Sequence, residues 1–283
     1  MQQTMKKPQA VSQGDYQAFQ QFLIDACGIV LGEGKEYLIS SRLGGLMRHY
    51  DVPTLSHLLE QLRTGRNPRL KTAVVDAMTT NETYWFRDMP HFRLLQNRIL
   101  PERLGRPGQR VRIWSAACSS GQEPYNISMI VQDFDKSNPG KGANNVEIVA
   151  TDISNHVLEQ ARRGVYFGVA ASRGLSPEQC DRYFHRKGDT LEVLPEIRRR
   201  VSFRGLNLTR GYELMGRFDV IFCRNVLIYF SNTQKQDILV RMSRILNPGG
   251  YLLLGSTESL SGYTDRFEMV SESGGIIYRL KNG

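Results

Sequence analysis

The side chains of this 283-residue chain that are able to do chemistry sit where polar residues interrupt apolar runs. "TTNETYWFRD", Thr79–Asp88, threads Asn81, Glu82, Thr83 and Arg87 among Tyr84, Trp85 and Phe86. Aromatics this dense suit a core, and the polar residues between them suit a wall facing something charged and flat. For Trp85 and Phe86 themselves, packing is the favoured role. "RIWSAACSSGQEPY" runs from a strand through small residues into a helix start that carries Glu123. "VEIVATDIS" places Asp152 at a strand end. "FDVIFCRNVLIYF" closes an apolar run on Asn225, with Tyr229 one helical turn later, and "LNL" sets Asn207 just ahead of that strand.

Each interruption implies a chemistry. Ala116–Gly121 are small, so a ligand can approach the backbone closely. The G-x-G-x-x-G dinucleotide fingerprint is absent, and a tight turn without a ligand also fits. Glu123 complements a helix N-terminus; it would repel a pyrophosphate and suits a cationic or amine-bearing ligand. An acidic residue at the end of a strand, like Asp152, can accept both hydroxyls of a ribose. Helix capping is its alternative role, although Ser154 fills that better. A buried Asn225 needs partners, from a backbone turn or from the amino-acid end or adenine edge of a ligand. Together these features describe a pocket for an adenosine-bearing cation without phosphates, and S-adenosylmethionine answers that description.

The elements that must position these residues change texture along the chain. Tyr16, Phe19, Leu23 and Ala26 fall at helical spacing before Gly28. "EYLISSRLGGLMRHY" puts Leu38, Leu43, Leu46 and Met47 on one face and Arg42 and Arg48 elsewhere. "TLSHLLEQL" follows with Thr54 as cap, and Asn67-Pro68 opens another helix through Leu70, Val74 and Met78. One more helix, "MPHFRLLQNRIL", precedes Pro101, Gly105, Pro107 and Gly108. From "RVRIWSA" onward, strands ("VEIVATD", "FDVIFCRN", "YLLLGS", "GGIIYRL") alternate with helices ("SNHVLEQARRG", "NTQKQDILVRMSRIL"). Such alternation predicts a mostly parallel, doubly wound sheet. "RYFHRKGDTLEVLPEIRRRVSFRGL" departs from it and reads as a small antiparallel excursion. Its Arg198-Arg199-Arg200 suits a charged strand edge or a partner contact. The expected organisation is α/β: a helical domain at 1–78, a connector at 79–105, a Rossmann-like domain at 106–283, and a β insertion at 181–204 within it.

The totals limit the classes open to the chain. Hydrophobic residues are 40% and charged residues 23%, ordinary for a globular protein. No apolar run approaches the roughly 18 residues of a membrane span, so no membrane insertion is expected. The N-terminal "MQQTMKKPQAVSQG" lacks the apolar core of a secretory signal and reads as a disordered tail. The four cysteines form no C-x-x-C pair, which fits a reducing cytosol. The five histidines show no metal-ligand spacing, and no metal site is expected. A formal charge of +9 favours an acidic partner or a merely soluble basic surface.

In order and spacing, "TTNETYWFRD", "RIWSAACSSGQEPYNI", "ATDIS", "FCRNVLIYF" and "LNPGGYLLLGSTESL" resemble the CheR-type chemoreceptor glutamate methyltransferases of bacterial chemotaxis. The likeness runs from about Gly14 to Leu280. It implies an S-adenosylmethionine-dependent methyltransferase fold preceded by an all-helical domain. The matching positions place Asn81, Thr83 and Arg87 at the border of cofactor and active site. Glu123, Asp152, Asn207, Leu208, Asn225 and Val226 match cofactor-binding positions, and Tyr229 follows at the active site.

The resemblance further implies a reaction: methyl transfer to glutamate side chains on the cytoplasmic helical bundle of receptors, leaving S-adenosylhomocysteine. A glutamate of pKa near 4.3 is already ionised at neutral pH, so no general base is needed. Arg87 and Tyr229 are then the candidates for orienting the carboxylate, and Lys35, Arg42 and Arg48 for docking an acidic receptor bundle. The hairpin around Lys187–Thr190 is shorter than in members that bind a receptor's C-terminal pentapeptide, so a tether-independent, cytoplasmic, monomeric enzyme is expected. Two rivals remain. A nucleic-acid methyltransferase suits the charge, but "RNVL" stands where base N-methylation uses an Asn/Asp-Pro-Pro-aromatic turn. A cofactor-binding adaptor without catalysis is the other.

Overall fold

The computed structural model describes residues 11–105, 109–142, 145–272 and 274–281. Of the expected N-terminal tail, residues 1–10 lie outside the described residues, as do Pro107 and Gly108. The chain divides into two compact units. One holds the N-terminal residues through Thr80 with Tyr229–Ser231, and the other holds the rest from Asn81.

The first unit is all-helical. α1 (Gln13–Cys27) starts where the Ser12 hydroxyl accepts the Asp15 N–H and stops at Gly28, whose φ is 79°. α2 spans Glu36–His49, α3 Leu55–Thr64 and α4 Pro68–Met78. Thr54 caps α3, and Asn67 caps α4 with Pro68 in its first turn. The face expected for α2 is rotated. Ile39 and Leu43, four residues apart and so in line along one face, are buried; Leu38, Leu46 and Met47 are half-buried.

The second unit opens with the connector, whose helix runs as α5 (Met89–Leu94), a π turn (Leu95–Ile99) and α6 (Leu100–Arg103). Then follow β1 (Val111–Ala116), α7 (Gln122–Ser137), β2 (Val146–Asp152), α8 (Asn155–Arg163), β3 (Val165–Phe167), α9 (Val169–Ser172) and α10 (Pro177–Tyr183). The order continues with β4 (Phe184–Lys187), β5 (Thr190–Val193), α11 (Pro195–Arg198), β6 (Val201–Gly205) and β7 (Phe218–Cys223). α12 (Asn232–Ile245), β8 (Leu246–Leu254), β9 (Phe267–Glu272) and β10 (Gly275–Leu280) complete it.

The main sheet has the order β6-β2-β1-β7-β8-β10-β9. The first five strands are parallel, and β10 and β9 turn back antiparallel. The order reverses between β1 and β7, the place where open α/β sheets bind ligands beyond their strand ends. β1, β7 and β8 are buried almost throughout, as strands covered on both faces must be. β9 was not anticipated. It is an edge strand with Glu268, Met269, Ser271 and Glu272 exposed, and among the described residues it pairs with β10 alone.

A second sheet of three strands has the order β3-β5-β4. It is not confined to 181–204 as the sequence suggested. The β4–β5 hairpin turns on Gly188-Asp189 as expected, but Val165–Phe167 adds a strand from upstream, and Val201–Gly205 joins the main sheet beside β2. The hairpin is a local signal. The pairing of β3 with β5 spans more than twenty residues and leaves none in the sequence.

Candidate active site

Every loop that carries a sequence-selected cofactor residue in the second unit leaves the carboxyl end of a parallel strand or belongs to the connector. After β1 the chain turns through Ala117 and Ser119, both at positive φ, to Gly121, where α7 begins. After β7 it turns through Asn225, also at positive φ, and in the connector Phe86 and Asp88 do the same. Among the described residues, Asp51 is the remaining positive-φ position that is not glycine. A left-handed conformation costs roughly 1–2 kcal/mol per residue. Strain of this kind gathers at functional sites because the surroundings must over-determine it.

Asp152 ends β2 and is 6% exposed. Its Oδ2 accepts the Ser119 N–H at 2.8 Å and its Oδ1 the Ser154 N–H at 2.9 Å. The carboxylate therefore binds the loop after β1 to the loop after β2. Ser154 caps α8 through its own hydroxyl, as expected. The Ser119 hydroxyl donates to the Asn81 carbonyl at 2.8 Å, tying the connector to the same loop. The Leu206 N–H donates to the Asp152 carbonyl, and this sets Asn207 and Leu208 immediately after β6. Asn207 folds its side-chain oxygen back onto the N–H and hydroxyl of Thr209, and Leu208 is buried.

Glu123 lies in the first turn of α7. Its Oε1 accepts the Ser115 hydroxyl at 2.7 Å and its Oε2 pairs with Arg224 at 2.8 Å. Arg224 also pairs with Asp88 at 2.8 Å and donates to the Arg87 carbonyl. Burial pushes the Asp88 carboxyl up, but the hydrogen bond and charge of Arg224, with His91 and Arg87, outweigh it and leave the pKa below the usual value. His91 is pushed down to about 4, first by burial and then by Arg224.

Asn225 and Val226 are held by a residue the sequence reading did not assign. Glu258 Oε2 accepts the N–H groups of Asn225 (2.6 Å) and Gly255 (2.8 Å), and its Oε1 those of Val226 (3.1 Å) and Leu227 (2.8 Å). A Cβ on Gly255 would lie 2.6 Å from the side-chain Nδ2 of Asn225 and 2.8 Å from Glu258 Oε2, so a larger residue there would displace both side chains. Ser115, Ser119 and Arg224 were also missed. Arg224 and Glu258 lay inside motifs already singled out, and a charged residue beside an apolar strand was the available signal.

The aromatic stretch divides. Trp85 is fully buried, edge-on to Tyr166 and Phe184 at 4.8 and 5.0 Å between centroids, and its indole donates to the Ala170 carbonyl. Phe86 is buried against Phe92. Both are core. Thr83 and Arg87 are half-buried; Arg87 donates to the Glu82 carbonyl at 3.2 Å, and its guanidinium lies 5.6 Å from the Tyr84 ring centre.

The remaining candidates group with the helical unit. Tyr229 ends a 3-10 turn (Leu227–Tyr229), and its carbonyl accepts the Val30 N–H. Arg42 is half-buried and donates to the carbonyls of Met78 and Thr79 and to the Thr80 hydroxyl, closing the C-terminus of α4. Lys35 and Arg48 are exposed.

Comparison with known proteins now bears on this geometry. The all-alpha domain of CheR methyltransferases matches residues 14–79, and the SAM binding domain of CheR methyltransferases matches residues 81–276. The chain belongs to the CheR methyltransferase family. It is 51% identical to chemotaxis protein methyltransferase 1 of Pseudomonas aeruginosa over 96% of this chain and 100% of the relative. It is 50% identical to a chemotaxis protein methyltransferase of Vibrio parahaemolyticus, over 96% and 98%. With that of Escherichia coli it shares 35% identity over 96% and 92%. This CheR-family protein is thus an S-adenosylmethionine-dependent methyltransferase. The donor set fits that cofactor: Asp152 brings a carboxylate to the end of β2 and Glu123 one to the first turn of α7, which follows β1, without a phosphate-binding glycine loop.

Among the described residues, no helix is long and apolar enough to cross a membrane.

Proposed function

We propose that this CheR-family methyltransferase converts glutamate side chains on the cytoplasmic helical bundle of chemoreceptors into methyl esters, in the cytoplasm. The observation that carries the reading is the Asp152–Ser119–Asn81 linkage, which gathers the ends of β1 and β2 and the connector around one buried carboxylate.

Asp152 would hold the ribose, with Asn81, Thr83, Glu123, Asn207, Leu208, Asn225 and Val226 lining the rest. The cofactor supplies a methyl group on a positively charged sulfur. The acceptor glutamate is ionised near pH 7 and needs no base from the protein. The chain's tasks are alignment and exclusion of water. Orientation of reactants can be worth roughly 7–11 kcal/mol, and a dry site favours a reaction in which opposite charges cancel. Arg87 and Tyr229 orient the acceptor carboxylate. Lys35 and Arg48 meet the acidic receptor surface; Arg42, committed to α4, serves the fold of that surface. The short β4–β5 hairpin supports methylation without a receptor tether.

Incubation of the protein with methyl-labelled S-adenosylmethionine and either a receptor cytoplasmic fragment or RNA tests the reading. Base-labile label on the receptor fragment is expected. Label on RNA alone, or binding of cofactor without transfer to either, would overturn it.

A further inference from the structure

Arg87 is flanked by two carboxylates and pairs with neither. Its guanidinium donates to the Glu82 carbonyl at 3.2 Å and lies 5.6 Å from the Tyr84 ring centre. Among the described residues it makes no ion pair. Each neighbouring carboxylate is taken up by a different arginine. Asp88, next in sequence, pairs with the buried Arg224 at 2.8 Å, and Arg224 also pairs with Glu123. Glu82 pairs with Arg173 at 3.0 Å.

Arg173 follows α9, and the segment around it grips the connector at several points. The Arg173 carbonyl accepts the Trp85 N–H at 3.2 Å, and the Ala170 carbonyl accepts the Trp85 indole N–H at 2.8 Å. Gly174, at a φ of 94°, lies against the Trp85 carbonyl, where a Cβ would clash. The Arg173 guanidinium lies 4.2 Å from the Tyr84 ring centre, so one ring carries both Arg173 and Arg87. The Glu82 carboxylate thus stands beside two cations that share one aromatic neighbour. Its side chain is 66% exposed, which leaves its rotamers open, and its own main chain is already bonded to Arg87. A guanidinium binds a carboxylate through a fork of parallel N–H groups. If Glu82 took that fork on Arg87, an entering carboxylate would be shut out of it.

We propose that Arg173 is a positioning residue: by holding Glu82 it keeps the Arg87 guanidinium free for a carboxylate entering the site, that of the acceptor glutamate or that of the cofactor's amino-acid end. The inference rests on the proposed role of Arg87. Arg224 holds Asp88 in the same way on the other side, but from a buried position. The Arg173 side chain is 50% exposed, so its pair with Glu82 can be removed at little cost to the fold.

The test compares the wild type with Arg173→Met, Arg173→Lys, Glu82→Gln and the Arg173→Met/Glu82→Gln double variant. Calorimetry gives cofactor affinity, and methylation of a receptor fragment at saturating cofactor gives kcat/KM. Arg173→Met keeps methylenes over Tyr84 and loses the charge. It is expected to lower cofactor affinity or kcat/KM about fivefold, the scale of one exposed ion pair. A loss of cofactor affinity assigns Arg87 to the cofactor's carboxylate, a loss of kcat/KM to the acceptor's, and a loss of both to each in turn. Arg173→Lys retains a cation for Glu82 and should recover most of the loss. Glu82→Gln should match the wild type and, added to Arg173→Met, restore it, because no carboxylate is left there to capture Arg87. Added salt should narrow the gap between Arg173→Met and the wild type, since exposed charges are screened. Wild-type values in Arg173→Met, a loss that Glu82→Gln fails to relieve, or a gap that salt leaves unchanged would each overturn the proposal. Should Arg173→Met fail to fold, Arg173→Gln takes its place and is read in the same way. A wild type that binds no cofactor, or methylates no receptor fragment, would overturn the functional reading itself, a result distinct from all of these.

Discussion

Glu258 holds Asn225 in a left-handed turn by accepting its backbone N–H at 2.6 Å, while the same carboxylate accepts three further N–H groups, from Val226, Leu227 and Gly255. A side chain from the loop after β8 thus shapes the loop after β7. Neither oxygen can be replaced by a donor without leaving N–H groups unpaired. Glu258→Gln is therefore expected to cost about 1–3 kcal/mol of stability and to weaken cofactor affinity about tenfold through the displaced turn. Thermal unfolding and calorimetry check both; unchanged affinity would separate the turn from the cofactor.

Arg87 stands in the same connector whose backbone Arg224 anchors, with its own guanidinium half-buried beside Tyr84. Its proposed task is to orient the acceptor. Arg87→Ala should lower methyl transfer by about 100-fold or more and cofactor affinity much less. Equal losses in a radiolabel assay and in calorimetry would contradict that division.

Arg42 and Arg48 lie on the same helix but should behave differently. Arg42 donates to the last carbonyls of α4, so Arg42→Ala is expected to cost about 1.5–3 kcal/mol of stability, the range for hydrogen bonds to a charged group. Arg48 is exposed, and Arg48→Ala should leave the melting temperature nearly unchanged while raising KM for a receptor fragment. Added salt should erase the wild type's advantage, because exposed charges are screened.

His91 makes acid stability readable. Its pKa is about 4 in the folded chain against an ordinary 6.5, because burial and then Arg224 disfavour its charged form. The unfolded chain thus binds the proton more readily, and stability falls as pH drops from 6.5 towards 4. The linkage amounts to about 3 kcal/mol over that window. Asp88, also depressed, adds to acid lability at lower pH, as its carboxylate is protonated. In His91→Gln, whose amide can take over the bond to the Ile276 carbonyl, the fall between pH 6.5 and 4 should largely vanish. Melting temperatures across that range measure it.

Much of the fold was legible residue by residue. Thr54, Asn67 and Ser154 cap the helices as local hydrogen-bonding chemistry requires, and Gly28 and Gly164 end them at positive φ; Ser12, read as part of a disordered tail, instead caps α1, which takes in Gln13 and Gly14. The apolar runs from Val111, Val146 and Phe218 became the parallel strands. β9 was not legible, because its exposed Glu268, Met269, Ser271 and Glu272 carry no apolar run of a buried strand; it pairs as a hairpin with β10, which begins at Gly275 just after it. The burial of Trp85 was expected. That its indole would find the Ala170 carbonyl, 85 residues away, was not readable from its neighbours.

The sequence by itself determined which residue types stand at the strand ends, because a strand must stop where polar side chains interrupt an apolar run. It thereby determined the class of ligand they suit. Only the tertiary structure decided how those ends are joined. Asp152 reaches Ser119, Arg224 reaches both Glu123 and Asp88, and Glu258 reaches back to Asn225, across separations of about thirty to well over a hundred residues. The order of strands in the sheet sets such pairings. A buried charge then takes whichever partner that order brings within reach, because burial unpaired would cost several kcal/mol.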